Sequence, residues 1–142
     1  SYIGTPNLSA NITTWTSGAL SDWDGKTNSE VLKEVTEGGE GYNGYVTIGR
    51  VLNAFLASSD AKGFDDWYIP SCPQLSLIWM NLNSVNNALS AIGGQQFNTS
   101  NTYWSSSERS TNYGWRLNFS SGLVGRREKT ASFRVRFIRD IK

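Results

Sequence analysis

The sequence predicts an α+β domain in which helices pack on a short-stranded antiparallel sheet. Two patterns predict this class: apolar residues recur at helical spacing up to about residue 92, and they alternate with polar residues after Phe97. The 142 residues are the usual size of one domain, so we expect a single domain over residues 1–142. No internal repeat is visible, which argues against a solenoid or a propeller.

The first two helices are predicted from their end signals and apolar spacing. Asn28 or Ser29 is expected to cap a short helix that ends near Val35, because a side-chain oxygen there can accept from free first-turn amides. A glycine-rich run follows this helix. The second helix is predicted from residue 45 or 47 to about residue 57, where the apolar residues lie on one helical face.

Two further helices follow an extended segment at residues 65–70, which ends in a proline that disfavours helix at the residue before it. Ser71 is the predicted cap of the third helix. Pro73 falls in its first turn, where the missing N–H removes no hydrogen bond. The fourth helix is predicted over residues 84–92 and ends at two glycines.

Three strands are predicted, over residues 103–107, 114–119 and 132–138. In the last of these, apolar residues alternate with arginines, so one face is expected to be apolar and the other basic. The arginines of this pattern are Arg134, Arg136 and Arg139. The strands therefore form a sheet behind the helical half.

Charge is unevenly distributed along the chain. The net charge is only +1, but residues 109–142 carry nine basic and two acidic residues, whereas residues 1–108 carry four basic and ten acidic ones. This balance argues against a disordered, highly charged chain and against a uniformly basic nucleic-acid-binding protein. We therefore expect no nucleic-acid partner and a basic module at the C-terminal end.

The residues that are absent exclude several kinds of catalytic site. The sequence contains no histidine and a single cysteine, Cys72, so it lacks the partners of Ser-His-Asp and Cys-His nucleophiles and cannot form an internal disulfide. A buried, unreactive thiol is the expected role of Cys72, although a helix N-terminus can lower a thiol pKa. We expect no enzymatic activity and no cofactor.

No metal or membrane site is expected. Asp22, Asp24, Asp65 and Asp66 do not have the spacing of an EF-hand, and turn or cap hydrogen bonds are the expected roles of Asp65 and Asp66. The sequence contains no apolar run long enough to span a bilayer and no basic segment followed by an apolar signal core. We therefore expect neither membrane insertion nor a signal peptide.

Four short motifs occur in a fixed order along the chain. They are DGKTN at 24–28, GFDDWYIPS at 63–71, YWSSSE at 103–108 and WRLNF at 115–119, followed by Gly122 and RVR at 134–136. Over residues 24–138 the chain resembles the bacterial and phage family of C-terminal domains typified by the collagen-like adhesin Lcl. Cys72-Pro73-Gln74 departs from the charged pair that members of this family often carry there.

The resemblance implies a C-type-lectin-like fold and a recognition function. Some relatives are variable proteins of diversity-generating retroelements. Formylglycine-generating enzymes share the fold, but they use cysteines that act together, and this chain has one. The fold presents ligands on a variable surface, so function must be argued from the site.

The best candidate for a ligand-binding site is the segment from Ser107 to Lys129. Arginine offers a planar set of donors for anions, and tyrosine adds contact area at small entropic cost. The candidate ligand-binding residues are Arg109, Asn112, Tyr113, Arg116, Asn118, Arg126, Arg127 and Lys129. The alternative is a solvated sheet face with scattered charge.

Aromatic residues are a second source of candidate contacts, because an aromatic ring can stack on a sugar. Trp67, Trp104 and Trp115 are nevertheless expected in the core, and Tyr113 and Tyr103 are the candidates for exposed aromatics.

These observations predict a receptor- or ligand-recognition domain of a phage tail protein or of a bacterial surface or pilus protein. It would bind a cell-surface receptor protein or glycan without metal, on the cell surface or the virion. A homo-oligomer, such as a trimer in a fibre, is a further expectation. One alternative is an adhesin for acidic or sulfated polysaccharide, and another is a structural cap of a fibre that binds nothing. Salt dependence distinguishes the first two, because binding of a polyanion by arginines weakens steeply with ionic strength.

Overall fold

The computed structural model describes residues 21–36, 47–110, 113–129 and 131–140. In these ranges the chain forms four α-helices and a three-stranded antiparallel sheet, which confirms the α+β class. The helices are α1 (Gly25–Lys33), α2 (Ile48–Leu56), α3 (Cys72–Met80) and α4 (Leu82–Ala91), with a short 3-10 turn at Ser59–Ala61. The strands are β1 (Thr102–Glu108), β2 (Tyr113–Asn118) and β3 (Val124–Glu128).

Helix α1 begins earlier than the sequence predicted, because Asp24 is its cap. The Asp24 carboxylate accepts hydrogen bonds from the amides of Lys26 and Thr27. The two residues expected to cap the helix have other roles inside it. Asn28 is buried and donates to the Ser21 carbonyl at 2.8 Å, and the Ser29 hydroxyl accepts from the Ile69 amide at 2.9 Å. The predicted cap at Asn28 or Ser29 is therefore wrong, because these side chains tie α1 to neighbouring segments.

The cap predicted for α3 is confirmed, because Ser71 forms a capping box with Gln74. Thr47, one of the two predicted starts of the second helix, caps α2: its Oγ1 accepts from the Arg50 amide. The Gln74 side chain also accepts from the Gly25 amide at 3.2 Å, so the start of α3 holds the start of α1.

The sheet has the order β1–β2–β3 and contains one strand that the sequence did not predict. The third strand of the sheet is β3 and not the segment 132–138, so the prediction of a strand over residues 132–138 is wrong. That segment is extended but makes only isolated bridges, from Arg134 to Tyr103 and from Ile138 to Tyr68. It lies between the start of β1 and the segment before α3, where it pairs with one residue of each.

Two apolar clusters form the core. The first lies around α1 and α2 and includes Phe55, Trp104 and Phe137. The second lies under α3 and α4 and includes Leu75, Phe97, Tyr103, Leu117 and Phe119.

The aromatic residues follow the predictions only in part. Trp104 is fully buried, as expected, whereas Trp67 and Trp115 are only half-buried. Tyr103 is fully buried, so its prediction as an exposed contact is wrong: its ring packs against Phe97 and Phe119, and its hydroxyl accepts from the Asn98 amide.

Within the described ranges, none of the helices combines the length and apolar character needed to cross a membrane.

Candidate recognition site

The register of the sheet separates the predicted site residues onto two faces. Strands β2 and β3 pair without a break, and residues directly opposite each other lie on the same face, as do alternate residues along a strand. Tyr113, Trp115 and Arg126 therefore share one face, which we call the groove face. Arg116 and Arg127 lie on the opposite face. The candidate residues do not form one continuous site.

Two arginines lie over aromatic rings on the groove face. The Arg126 guanidinium is 4.7 Å from the centroid of the Tyr113 ring, and that of Arg109 is 5.8 Å from the Trp115 ring. Such pairs hold a guanidinium in place over a large flat surface. Glu128 lies opposite Tyr113 on the same face, so the charge of this face is mixed rather than uniformly positive.

An open apolar groove of about 600 Å³ adjoins this face between α3 and the sheet. Trp115 belongs to both the apolar groove and the groove face, because it lines the groove and its ring lies beneath Arg109. The described residues that line the groove are Asp22, Trp23, Cys72, Pro73, Ser76, Leu77, Met80, Trp115 and Val124. Trp23 is 77% exposed and Met80 is 69% exposed, so large apolar side chains face solvent here.

The groove residues were not among the predicted site residues, although the sequence contains a signal for them. Helix α3 carries Leu75 and then an unbroken run of large apolar residues from Leu77 through Met80, more than one buried face of a short helix can use. The fold buries Leu75 and leaves Leu77 and Met80 exposed along the groove.

Arg116 has a structural position on the opposite face. Its guanidinium lies against Gly125, where an added Cβ would come within 3.3 Å of it, and its Nη1 donates to the Leu123 carbonyl at 3.4 Å. The hydrogen bond joins the Arg116 side chain to the turn between β2 and β3. Arg127, two strand positions away on the same face, is exposed.

The two predicted asparagines differ in what the structure shows. The Asn118 side chain accepts from the amide and the hydroxyl of Ser120 and so stabilises the turn between β2 and β3. Asn112 lies outside the described residues.

Lys129 is not on the predicted exposed face. Its side chain is 2% exposed, and its Nζ donates to the Glu108 carboxylate at 2.6 Å. Desolvation by burial lowers the Lys129 pKa, while the bond to Glu108 opposes this effect. Glu108, the last residue of β1, pairs with this buried amine, so Lys129 cannot contact a ligand.

The basic face predicted for residues 132–138 does not form. Arg136 is 5% exposed, and its guanidinium lies 4.6 Å from the Phe97 ring centroid. Arg139 is held by Asp66 through contacts of 2.8 and 3.2 Å. Because this segment lies among other elements instead of at a sheet edge, its arginines are held within the fold.

Two of the acidic residues considered for metal binding have other roles. Asp24 caps α1, and Asp66 pairs with Arg139. No group of three or more cysteine, aspartate or glutamate residues that could hold a metal ion occurs in the part of the chain that the structure describes.

Cys72 lies at the first turn of α3, in the wall of the groove. Its thiol is buried, and burial raises the Cys72 pKa to about 11, with a further contribution from nearby Asp22. Burial therefore outweighs the lowering that a helix N-terminus can produce. The thiol is protonated and unreactive at neutral pH.

We expect iodoacetamide to alkylate Cys72 about a hundredfold more slowly in the native protein than in the urea-unfolded chain at pH 8, since only the thiolate reacts. The native rate should continue to rise with pH up to about 11. Mass spectrometry of timed samples measures both rates. Equal rates in the two states at pH 8 would contradict an elevated pKa.

Residues 14–139 match the family model of the Lcl C-terminal domain, which covers most of the chain. The fold and the family together define a variable-protein or adhesin-like C-terminal domain. The chain belongs to the Lcl C-terminal domain family, which confirms the resemblance carried by its four motifs. No curated protein matches the sequence.

Proposed function

We propose that this domain recognises a receptor protein on a cell surface and binds it through the groove face and the adjoining apolar groove. It would do so without metal, cofactor or catalysis, as the tip of a phage tail or of a bacterial surface or pilus protein. The observation that carries this proposal is the continuity at Trp115 between the arginine–aromatic pairs and the groove.

The chemistry of the groove favours a protein partner over a sugar. A saccharide needs many hydrogen-bond donors and acceptors, whereas Trp23, Leu77, Met80 and Val124 offer mainly apolar surface. Aromatic and arginine anchors around an apolar centre are typical of protein–protein hot spots. The mixed charge around the groove suits the polar rim of such an interface.

A second candidate, an adhesin for acidic polysaccharide, is favoured by the exposure of Arg127 on the opposite face. That face carries Arg116 beside Arg127, so its positive charge would meet a polyanion. The two proposals therefore use different faces of the same hairpin. Substitutions at the adjacent residues Arg126 and Arg127, which lie on opposite faces, can therefore distinguish the two proposals.

The test is binding to arrays of purified extracellular proteins and of glycans at low and high salt. We expect a protein hit whose affinity changes little with salt, and which Met80→Asp weakens at least tenfold, because an unpaired charge would enter the apolar contact. Arg126→Ser should weaken the same hit tenfold or more through loss of a charge-assisted contact. Arg127→Ser is the matched control and should leave binding within twofold.

The opposite pattern would favour the polysaccharide adhesin. In that case sulfated or acidic glycans bind, Arg127→Ser weakens them, and binding falls steeply with added salt. Binding of neither class would contradict the recognition proposal and support a structural cap. Circular dichroism of each variant checks the fold, which should be unchanged because the three positions are exposed.

A further inference from the structure

Strand β3 lies at an edge of the sheet, because the strand order is β1–β2–β3. In the described ranges, no strand or isolated bridge pairs with its outer side. Helix α3 packs against β1 and β2, and four of the five residues of β3 are exposed. The strand contains no proline and pairs with β2 without a bulge. Its outer backbone groups therefore lack the features that commonly block an edge.

The hydrogen-bond pattern shows which backbone groups of β3 point outward. The Asn118 amide donates to the Leu123 carbonyl at 3.0 Å, whereas the Tyr113 carbonyl accepts from the amide of Arg109, which follows β1. Even-numbered residues of β2 therefore bond to β3, and the register pairs them with odd-numbered residues of β3. The N–H and C=O groups of the intervening residues of β3 point away from β2. These residues are Val124, Arg126 and Glu128.

The same three residues present their side chains on the groove face, because alternate residues along a strand share a face. Val124 lines the apolar groove, and the Arg126 guanidinium lies over the Tyr113 ring. Along the outer edge of β3, the free backbone groups therefore coincide with an apolar, a basic and an acidic side chain, in that order.

We propose that the receptor segment bound by this domain is extended and adds an antiparallel strand to the outer edge of β3. This inference rests on the proposed function and specifies which kind of receptor segment is recognised. Backbone hydrogen bonds to Val124, Arg126 and Glu128 supply affinity, and the side chains opposite these residues supply specificity. The antiparallel orientation is assigned because it is the more stable pairing per residue.

Charge complementarity defines the receptor segment. From its N-terminus it has the pattern basic–x–acidic–x–apolar, which places these residues opposite Glu128, Arg126 and Val124. Opposite charges on adjacent strands stabilise the pairing, and like charges destabilise it. The apolar residue lies beside the groove, because Val124 lines it.

A second copy of this domain fits the edge less well. The symmetric register that pairs Arg126 with Glu128 of the copy also places Arg127 directly opposite Arg127 of the copy, where like charges repel. Every other symmetric antiparallel register loses the two ion pairs. We therefore expect a monomer in analytical ultracentrifugation at this edge. A dimer that Arg126→Pro dissociates would assign the edge to a second copy and overturn the proposal.

The first experiment screens an array of peptides that are long enough to span β3 and vary at the three facing positions. We expect the basic–x–acidic–x–apolar pattern to bind at least tenfold more tightly than the pattern with the two charges exchanged. In the best peptide, methylation of the amide nitrogens of the three facing residues should abolish binding. Methylation of the two intervening amides, which point away from β3, is the matched control and should change affinity by less than twofold. Equal effects of the two methylations would overturn the proposal.

Amide hydrogen exchange followed by NMR locates the best peptide on the domain. Saturation with this peptide should slow exchange of the Val124, Arg126 and Glu128 amides at least tenfold, because their N–H groups gain partners. The Gly125 and Arg127 amides already face β2, so their exchange should change less than threefold. Equal protection of all five amides, or protection of none, would contradict pairing at the edge.

Two substitutions at Arg126 separate the backbone from the side chain. Both Arg126→Ser and Arg126→Pro remove the guanidinium, but only proline removes the outward N–H, and the pairing with β2 does not use that N–H. We expect Arg126→Ser to retain weakened binding of the best peptide and of the receptor found on the protein array, and Arg126→Pro to bind neither. Equal binding by the two variants overturns strand addition and leaves the groove-face proposal standing. If Arg126→Pro does not fold, the methylated peptides decide. Peptide binding in the expected pattern without any receptor on the array would contradict the proposed function alone.

Discussion

Replacement of Lys129 by methionine is expected to lower the free energy of unfolding by about 3 to 5 kcal/mol, because it leaves the Glu108 carboxylate buried without its amine. Both side chains are almost fully enclosed, at 2% and 0% exposure, and their charged atoms are 2.6 Å apart. Water cannot replace the lost partner at such a site. Urea unfolding followed by circular dichroism measures the change.

Two controls test this reasoning about the ion pair. Arg127→Met removes an exposed charge from β3, two residues before Lys129, and should change stability by less than about 0.5 kcal/mol. Glu108→Gln combined with Lys129→Met removes both charges and should recover at least half of the loss. A double variant that is as unstable as Lys129→Met alone would show that the cost arises from lost packing and not from the stranded carboxylate.

Gly49→Ala is expected to destabilise the protein by about 3 kcal/mol or more, although alanine normally stabilises a helix relative to glycine by about 0.5 to 1 kcal/mol. The reason is the close approach of α2 to the end of α1. An added Cβ on Gly49 would overlap the carbonyl oxygen of Leu32 and come within 2.6 Å of that of Val35. Backbone atoms cannot rotate away, so the two helices would have to separate.

The matched control is Ala54→Gly in the same helix, at an exposed position. Ala54→Gly should lower the free energy of unfolding by about 0.5 to 1 kcal/mol, which is the ordinary difference in helix propensity. Thermal or urea unfolding of both variants gives the comparison. A gain in stability for Gly49→Ala would contradict the close packing of α1 on α2.

Local chemistry made parts of the fold predictable from sequence. Ser71 before Pro73 marks the start of α3, because a hydroxyl cap and a proline in the first turn act within a few residues. The alternation in β1 and β2 likewise gave their approximate bounds. The start of α1 was missed because Asn28 and Ser29 are equally plausible caps, and only their burial against Ser21 and Ile69 shows that they serve other elements.

The third strand shows how a tertiary contact can outweigh a local pattern. Residues 132–138 have clear apolar and basic alternation, whereas β3 has the sequence VGRRE with little apolar character. The short turn after β2 brings β3 back beside it, so hydrogen bonding to β2 decides the strand. The C-terminal segment is extended for a different reason, which is that it fits between β1 and residue Tyr68.

The sequence by itself determined the α+β class and, through its ordered motifs, the family. It placed Arg126 and Tyr113 together correctly, because they belong to one hairpin. Only the tertiary structure decided that Arg127 faces away from them, that Lys129 is buried with Glu108, and that α3 forms a groove with β2. The physical reason is that strand register and burial depend on partners distant in sequence, whereas caps and periodicity depend on neighbours.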